Sequence, residues 1–164
     1  MSESEKPIEM INPPNMLRVK VGGRVPQTDP AAVARAEAAL DELRHEFRGW
    51  LEEEVEKLEA AMAKVRSEGL AGEAGEELFN VAHDLRGLGT TYEFPIVTRI
   101  CASLAKLIET EEKRAAAPKK LVDAHVGAVR AALLQNVRDE CDEIGRQLVE
   151  TLEGHVVELV GESD

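Results

Sequence analysis

The chain has 164 residues, of which 43% are hydrophobic and only 3% aromatic, and its formal net charge is −12. Such an acidic surface repels nucleic-acid phosphates and anionic lipids, so we expect no nucleic acid and no membrane among its partners. No stretch approaches the roughly 20 apolar residues that cross a bilayer, and residues 1–10 are too polar for a secretion signal, so we expect a cytoplasmic protein.

Residues 1–29 differ from the rest of the chain. Prolines and glycines exclude a helix of any length there: Pro7, Pro13, Pro14, Gly22, Gly23 and Pro26. Residues 16–21 alternate apolar and basic side chains, which favours one short extended segment lying on the helices or on a partner. We therefore predict an irregular, extended N-terminal arm over residues 1–29 and a helical domain over residues 30–164.

A long first helix is predicted to begin at Pro30, with Thr28 or Asp29 as its cap, and to end at Gly69 and Gly72. Its apolar residues recur in steps of three and four, which marks one stripe. The stripe contains Val33, Ala36, Leu40, Leu43, Phe47, Trp50 or Leu51, Val55, Leu58, Met62 and Val65.

The same spacing predicts three further helices. The second covers residues 72–90, and the third begins at Pro95, continues to Ile108 and frays over residues 109–114. The fourth begins at Pro118 and is expected to run without interruption to about Leu159. Its apolar stripe includes Val122, Val126, Val129, Leu133, Val137, Cys141, Ile144, Leu148, Leu152, Val156 and Leu159. Cys101 and Cys141 show no metal-binding spacing, so both are expected to be reduced, buried thiols.

Four helices with short links and one apolar face each predict an all-α, up-down-up-down four-helix bundle with two long and two short helices. The long pair would each have about 40 residues, or roughly 60 Å at 1.5 Å per residue, and would project beyond the short pair. An exposed apolar stripe on that projection needs a partner, and a second copy of the chain, forming a homodimer, would be the simplest one.

The second helix carries the candidate chemistry. His83 shares one helical face with residues three and four positions away, and a further turn extends the same line. These neighbours are Asn80, Arg86, Gly87 and Thr90. Leu85 points to the opposite, apolar side, so the helix presents a polar face around His83.

This set of side chains suits phosphoryl transfer. A neutral imidazole is a competent nucleophile near neutral pH and can attack a phosphoryl group held on an aspartate of a partner. Arg86 would compensate the charge of the phosphoryl oxygens, and Gly87 leaves room for the partner to approach. Asn80 and Thr90 are candidate docking residues. The chain itself is expected to bind no cofactor, because Mg²⁺ would be supplied by the partner.

Residues 82–87, Ala-His-Asp-Leu-Arg-Gly, resemble the Ala-His-x-Leu-Lys-Gly core of histidine-containing phosphotransfer (HPt) domains of the free-standing bacterial type. The resemblance implies a four-helix bundle that passes phosphate between a sensor histidine kinase and the receiver domains of response regulators. His83 matches the phosphorylated histidine, Arg86 the usual lysine, Gly87 the usual glycine and Gly89 a small position. The likeness extends over residues 92–95 and the third helix. One departure is Glu93, where the family often has glycine.

Alternative interpretations find less support. The pair His83-Asp84 is typical of metal-dependent phosphohydrolases, but the further ligands are missing, and Glu42 with His45 has no second Glu-x-x-His partner of a di-iron bundle. A histidine-kinase dimerisation domain usually carries its histidine on the first helix and would need a nucleotide-binding domain. A helical adaptor or dimerisation protein without chemistry is the runner-up. We therefore expect a phosphoryl carrier in a phosphorelay, rather than a kinase or phosphatase acting alone.

Overall fold

A computed structural model describes residues 29–161, and all regular secondary structure within this range is α-helical. Of the predicted arm, residues 1–28 lie outside the described residues. Six helices follow one another along the described chain: α1 Pro30–Glu68, α2 Glu73–Thr91, α3 Pro95–Leu107, α4 Glu111–Ala116, α5 Lys119–Leu134 and α6 Glu143–Val160. The predicted bounds of α1 and α2 are confirmed to within one residue.

The chain divides into two compact units between Ala39 and Leu40. In the first unit, the side chain of Asp29 accepts a hydrogen bond of 3.0 Å from the backbone N–H of Ala31. This satisfies one of the free donors at the start of α1. Asp29, one of the two caps predicted from the sequence, is therefore the N-cap residue of α1.

The second unit contains the hydrophobic core. Helix α1 contributes buried residues only from Leu51 to Val65. Helix α3 lies at the centre and contacts α2, α5 and α6. Phe94, just before α3, is also buried. Because α3 is surrounded on several sides, most of its side chains are apolar. Helix α2, which carries His83, packs against it.

The predicted fraying after α3 is wrong, because residues 111–116 form the short helix α4. Thr110 caps it: the side-chain oxygen accepts a hydrogen bond of 3.2 Å from the backbone N–H of Lys113. Glu111 and Glu112 occupy its first turn and Lys113 and Arg114 its last, which matches the helix dipole at both ends.

The prediction of one uninterrupted fourth helix is also wrong. Helix α5 ends at Leu134, and Asn136 follows in the left-handed conformation with φ 54°. The N–H groups of Asn136 and Val137 donate to the carbonyls of Leu133 and Ala132, which is the Schellman pattern of a helix end. Asp142 then caps α6 by accepting a bond of 2.8 Å from the N–H of Ile144.

The break changes the predicted proportions of the fold. Helix α1 has 39 residues, but α5 and α6 have 16 and 18, so α1 is the one long helix of the described range. Cys141 lies in the link between α5 and α6 and is exposed, against the expectation of a buried thiol, whereas Cys101 is buried. Ile144 and Leu159 of the predicted stripe are exposed as well.

Within residues 29–161, no helix combines the length and the apolar character needed to cross a membrane.

Candidate functional site

Helix α2 presents its two faces as the sequence predicts. Ala82 and Leu85 are fully buried, whereas His83 and Arg86 are exposed. The apolar side of α2 packs against α3, with which it makes its most extensive contacts. The polar side is thereby turned outward on a rigid support.

The contact between α2 and α3 is closest at Gly89. A Cβ atom at this position would lie 2.7 Å from the backbone nitrogen of Thr98 and 3.0 Å from the carbonyl oxygen of Phe94. The carbonyl of Gly89 accepts a hydrogen bond of 2.8 Å from the N–H of Phe94. Glycine is thus required at this position for packing, which gives a physical reason for the small residue noted in the sequence.

The His83 side chain is 56% exposed, so a partner can reach its ring nitrogens. Its Nδ1 lies 4.0 Å from Oδ1 of Asp84, which is too far for a hydrogen bond. The ring of Phe79, one turn earlier, has its centroid 6.0 Å from that of His83.

An open groove of about 560 Å³ runs between α2 and α3 beside the histidine. Its lining comes from both helices and the residues after α3: Phe79, His83, Arg86, Ala102, Ala105, Lys106 and Glu109. The structure therefore places His83 and Arg86 together, as predicted from the sequence. It adds Lys106, which the spacing of residues on α2 does not predict because this residue belongs to another helix.

The two cations of the groove differ from most others in the described chain. Nearly all Arg and Lys side chains within residues 29–161 make a hydrogen bond or an ion pair, most often with a carboxylate. The exceptions in this range are Arg86, Lys106 and Lys120, and two of these three line the groove of His83. An acidic protein thus keeps two positive charges available beside an exposed imidazole.

The predicted docking residues lie on the same helix but outside the groove lining. Asn80, Gly87 and Thr90 are exposed, and a Cβ atom at Gly87 would meet nothing within 4 Å. The Thr90 hydroxyl lies 3.0 Å from that of Thr98, which ties the end of α2 to α3. Gly87 thus offers open space next to the histidine, and Thr90 has a structural role as well.

The other histidines are structural or surface residues, as expected. His45 and His155 are exposed. His125 is fully buried, with Nδ1 2.7 Å from the carbonyl oxygen of Leu121 and Nε2 3.0 Å from the hydroxyl of Ser103. Burial lowers the pKa of His125. In the described part of the chain, no group of three or more His, Cys, Asp or Glu residues is placed to hold a metal ion.

The model of the Hpt domain family matches residues 42–146. The chain belongs to the Hpt domain family. The match includes all of α2 and α3, and with them every residue that lines the groove. A search of curated proteins and a search of solved structures each found no match. Membership supports a phosphotransfer role in two-component signalling, in which Hpt domains interact with histidine kinases and receiver domains.

Glu93 departs from the glycine that is frequent in Hpt domains, yet the backbone keeps a conformation suited to glycine. Its φ is 63°, in the left-handed region. The carboxylate lies 3.2 Å from both Arg44 and Arg138, so it links α1 to the segment after α5. Glu93 thus holds a left-handed backbone conformation, and its carboxylate makes two ion pairs.

Proposed function

We propose that the protein relays a phosphoryl group between a sensor kinase and the receiver domains of response regulators, with His83 as the residue that carries it. The observation that supports this most is the groove: an exposed imidazole lies beside Arg86 and Lys106, which have no carboxylate partner within the described residues. Two free cations next to a nucleophile suit an incoming dianionic phosphoryl group.

In the transfer step, a ring nitrogen of neutral His83 attacks the phosphorus of a phosphoaspartate on the receiver. The N–P bond forms as the P–O bond to the aspartate breaks, and the carboxylate leaves with the electron pair. The proton on the other ring nitrogen stays on the imidazole or passes to water. Mg²⁺ on the receiver would supply charge neutralisation for the phosphoryl oxygens.

The role of this chain in that step is positioning and charge compensation. Arg86 lies one turn after His83 on α2, and Lys106 faces the groove from α3. The transferring group spreads its negative charge over three oxygens, so cations on two sides stabilise it better than one. Gly87 leaves the space through which the receiver's active site approaches.

The resemblance to Hpt domains also implies an up-down-up-down four-helix bundle, which we propose is formed by α1, α2, α3 and α5. Supporting it, Lys64 of α1 bonds Glu77 of α2 at 2.6 Å, and Arg130 of α5 bonds Glu59 of α1 at 2.5 Å. Helix α6 then packs on α3 as an additional helix.

The proposal is tested by incubating the protein with a receiver domain that carries labelled phosphate. We expect acid-labile, base-stable label on the wild type and none on His83→Gln. His45→Gln changes another exposed histidine and should accept label like the wild type. Equal labelling of the wild type and His83→Gln would show that another residue carries the phosphate.

A further inference from the structure

The first half of α1 carries an apolar seam that no part of the described chain buries. Its members alternate in steps of three and four, the spacing of core positions in a coiled coil: Val33, Ala36, Leu40, Leu43, Phe47 and Trp50. Leu40 is 54% exposed, Leu43 41% and Trp50 43%. The buried residues of α1 begin only at Leu51.

This exposure calls for a partner on physical grounds. An isolated helical segment of about 20 residues is only marginally stable in water, and its large apolar side chains gain little free energy while they remain half exposed. At the C-terminal end of the seam, Phe47 and Trp50 form an aromatic cluster with Tyr92, with ring centroids 5.7 to 6.1 Å apart. The seam therefore has one end anchored on Tyr92, the residue that follows α2, and an uncovered apolar surface.

The seam is complementary to itself when two copies run in opposite directions. A two-fold axis between Asp41 and Glu42 sets Leu40 against Leu43 of the second copy. The same axis sets the small Ala36 against Phe47 and Val33 against Trp50, each pair occurring twice. On both sides of the central leucine pairs, smaller residues thus meet larger ones, which favours even packing.

The charged residues beside the seam also favour the antiparallel arrangement. Glu37 and Arg44 occupy equivalent flanking positions, and the antiparallel arrangement brings Glu37 of each copy opposite Arg44 of the other. The Arg44 side chain is 50% exposed, and its Nη2 makes no hydrogen bond within residues 29–161. In a parallel pair, Arg44 would face Ala39 instead and gain nothing.

From this self-complementarity we infer that the protein forms an antiparallel homodimer through the first half of α1, with Leu40 and Leu43 at its centre. The interface is isologous, so each copy contributes the same surface. The inference concerns α1 alone and does not depend on the phosphoryl-transfer role of His83.

Sedimentation of the full chain at several concentrations tests the dimer. We expect a dimer for the wild type and a monomer for the double variant Leu40→Glu/Leu43→Glu, with unchanged helicity by circular dichroism because both side chains are already largely exposed. Ala38→Glu adds a charge on the opposite face of α1 and should remain dimeric.

Charge reversal tests the direction. Glu37→Arg sets two arginines against each other at both ends of an antiparallel pair and should raise the dissociation constant about tenfold, whereas Glu37→Arg/Arg44→Glu should restore it. A dissociation constant that Glu37→Arg leaves unchanged would overturn the antiparallel pairing. A wild type that is monomeric at every concentration would overturn the homodimer. If the wild type is monomeric and the variant Leu40→Glu/Leu43→Glu no longer accepts phosphate from the receiver, the seam binds the receiver rather than a second copy.

Discussion

Arg86 and Lys106 reach the groove of His83 from α2 and α3, so the charge around the histidine depends on two helices. Glu109 also lines the groove, but its carboxylate bonds Lys113 at 2.7 Å. The pKa of Glu109 is lowered, chiefly by that bond. A carboxylate already engaged elsewhere competes less for the two cations, which therefore remain available for phosphate oxygens.

Removing either cation should slow transfer without unfolding the protein. We expect Arg86→Ala and Lys106→Ala each to reduce the rate of phosphoryl transfer about tenfold, which corresponds to about 1.4 kcal/mol in the barrier. Lys120→Ala is the matched control, because Lys120 is equally unpaired within the described residues but lies on α5, outside the groove. Rapid-quench kinetics measures the three rates. If Lys106→Ala behaves like Lys120→Ala, Lys106 has no part in the transfer.

The residues of the site were predictable to different degrees. His83, Arg86 and Gly87 lie on one helix, and a period of 3.6 residues is enough to place them on one face. Lys106 belongs to α3, and no local spacing shows which side chains of a second helix will meet the first. The left-handed backbone of Glu93 was equally hidden, because a glutamate gives no sequence signal for positive φ.

At the scale of elements, the pair α2 and α3 depends on one close approach. Gly89 lets the two helices approach closely, and the Thr98 hydroxyl oxygen, which lies in the same contact, accepts a hydrogen bond of 2.9 Å from the N–H of Thr90. The groove lies along the same pair of helices. The close contact that joins the two helices thus contains none of the reacting groups.

Two glycines of α2 should therefore respond oppositely to the same substitution. Gly89→Ala forces a methyl group into the backbone of α3 and should lower the free energy of unfolding by about 2 kcal/mol. Gly87→Ala meets open space on a helix surface and should raise it by about 1 kcal/mol. Urea unfolding compares the two. A loss of stability in Gly87→Ala would mean that Gly87 is needed for the fold rather than for access to His83.

The break between α5 and α6 shows where periodicity fails. The apolar steps continue in phase through Val137 and Cys141 and give no sign of the interruption. The signals lie in single polar residues: Asn136, which tolerates left-handed φ, and Asp142, a strong N-cap. Helices α1 and α2 were predicted to within one residue because glycines and prolines mark their ends.

At the scale of the whole molecule, a single buried histidine couples folding to pH. The carbonyl of Leu121 can only accept, so Nδ1 of His125 donates to it and Nε2 accepts from the hydroxyl of Ser103. This is the neutral form of the ring. A second proton on Nε2 would reverse the direction of the bond to Ser103 and place a charge in the core.

Stability should therefore fall as the solution is acidified through the range where free histidine titrates. The pKa of His125 is lower in the folded state, so the unfolded chain takes up a proton first, below about pH 6.5, and the slope approaches about 1.4 kcal/mol per pH unit. Thermal unfolding between pH 7.5 and 5 should show this slope in the wild type and in His155→Gln. It should be reduced in His125→Leu. An unchanged slope in that variant would assign the effect to other groups.

The link between α5 and α6 has a practical consequence. Burial raises the pKa of Cys101 to about 12, whereas Cys141 is exposed in that link. A thiol-reactive dye should therefore react with Cys141 and leave Cys101 unmodified in the wild-type chain. Because the nearby Asp139 raises the pKa of Cys141, the reaction needs a mildly alkaline buffer. Cys141, which is not among the residues that line the groove of His83, thus offers a position for a fluorescent reporter of partner binding and release in real time.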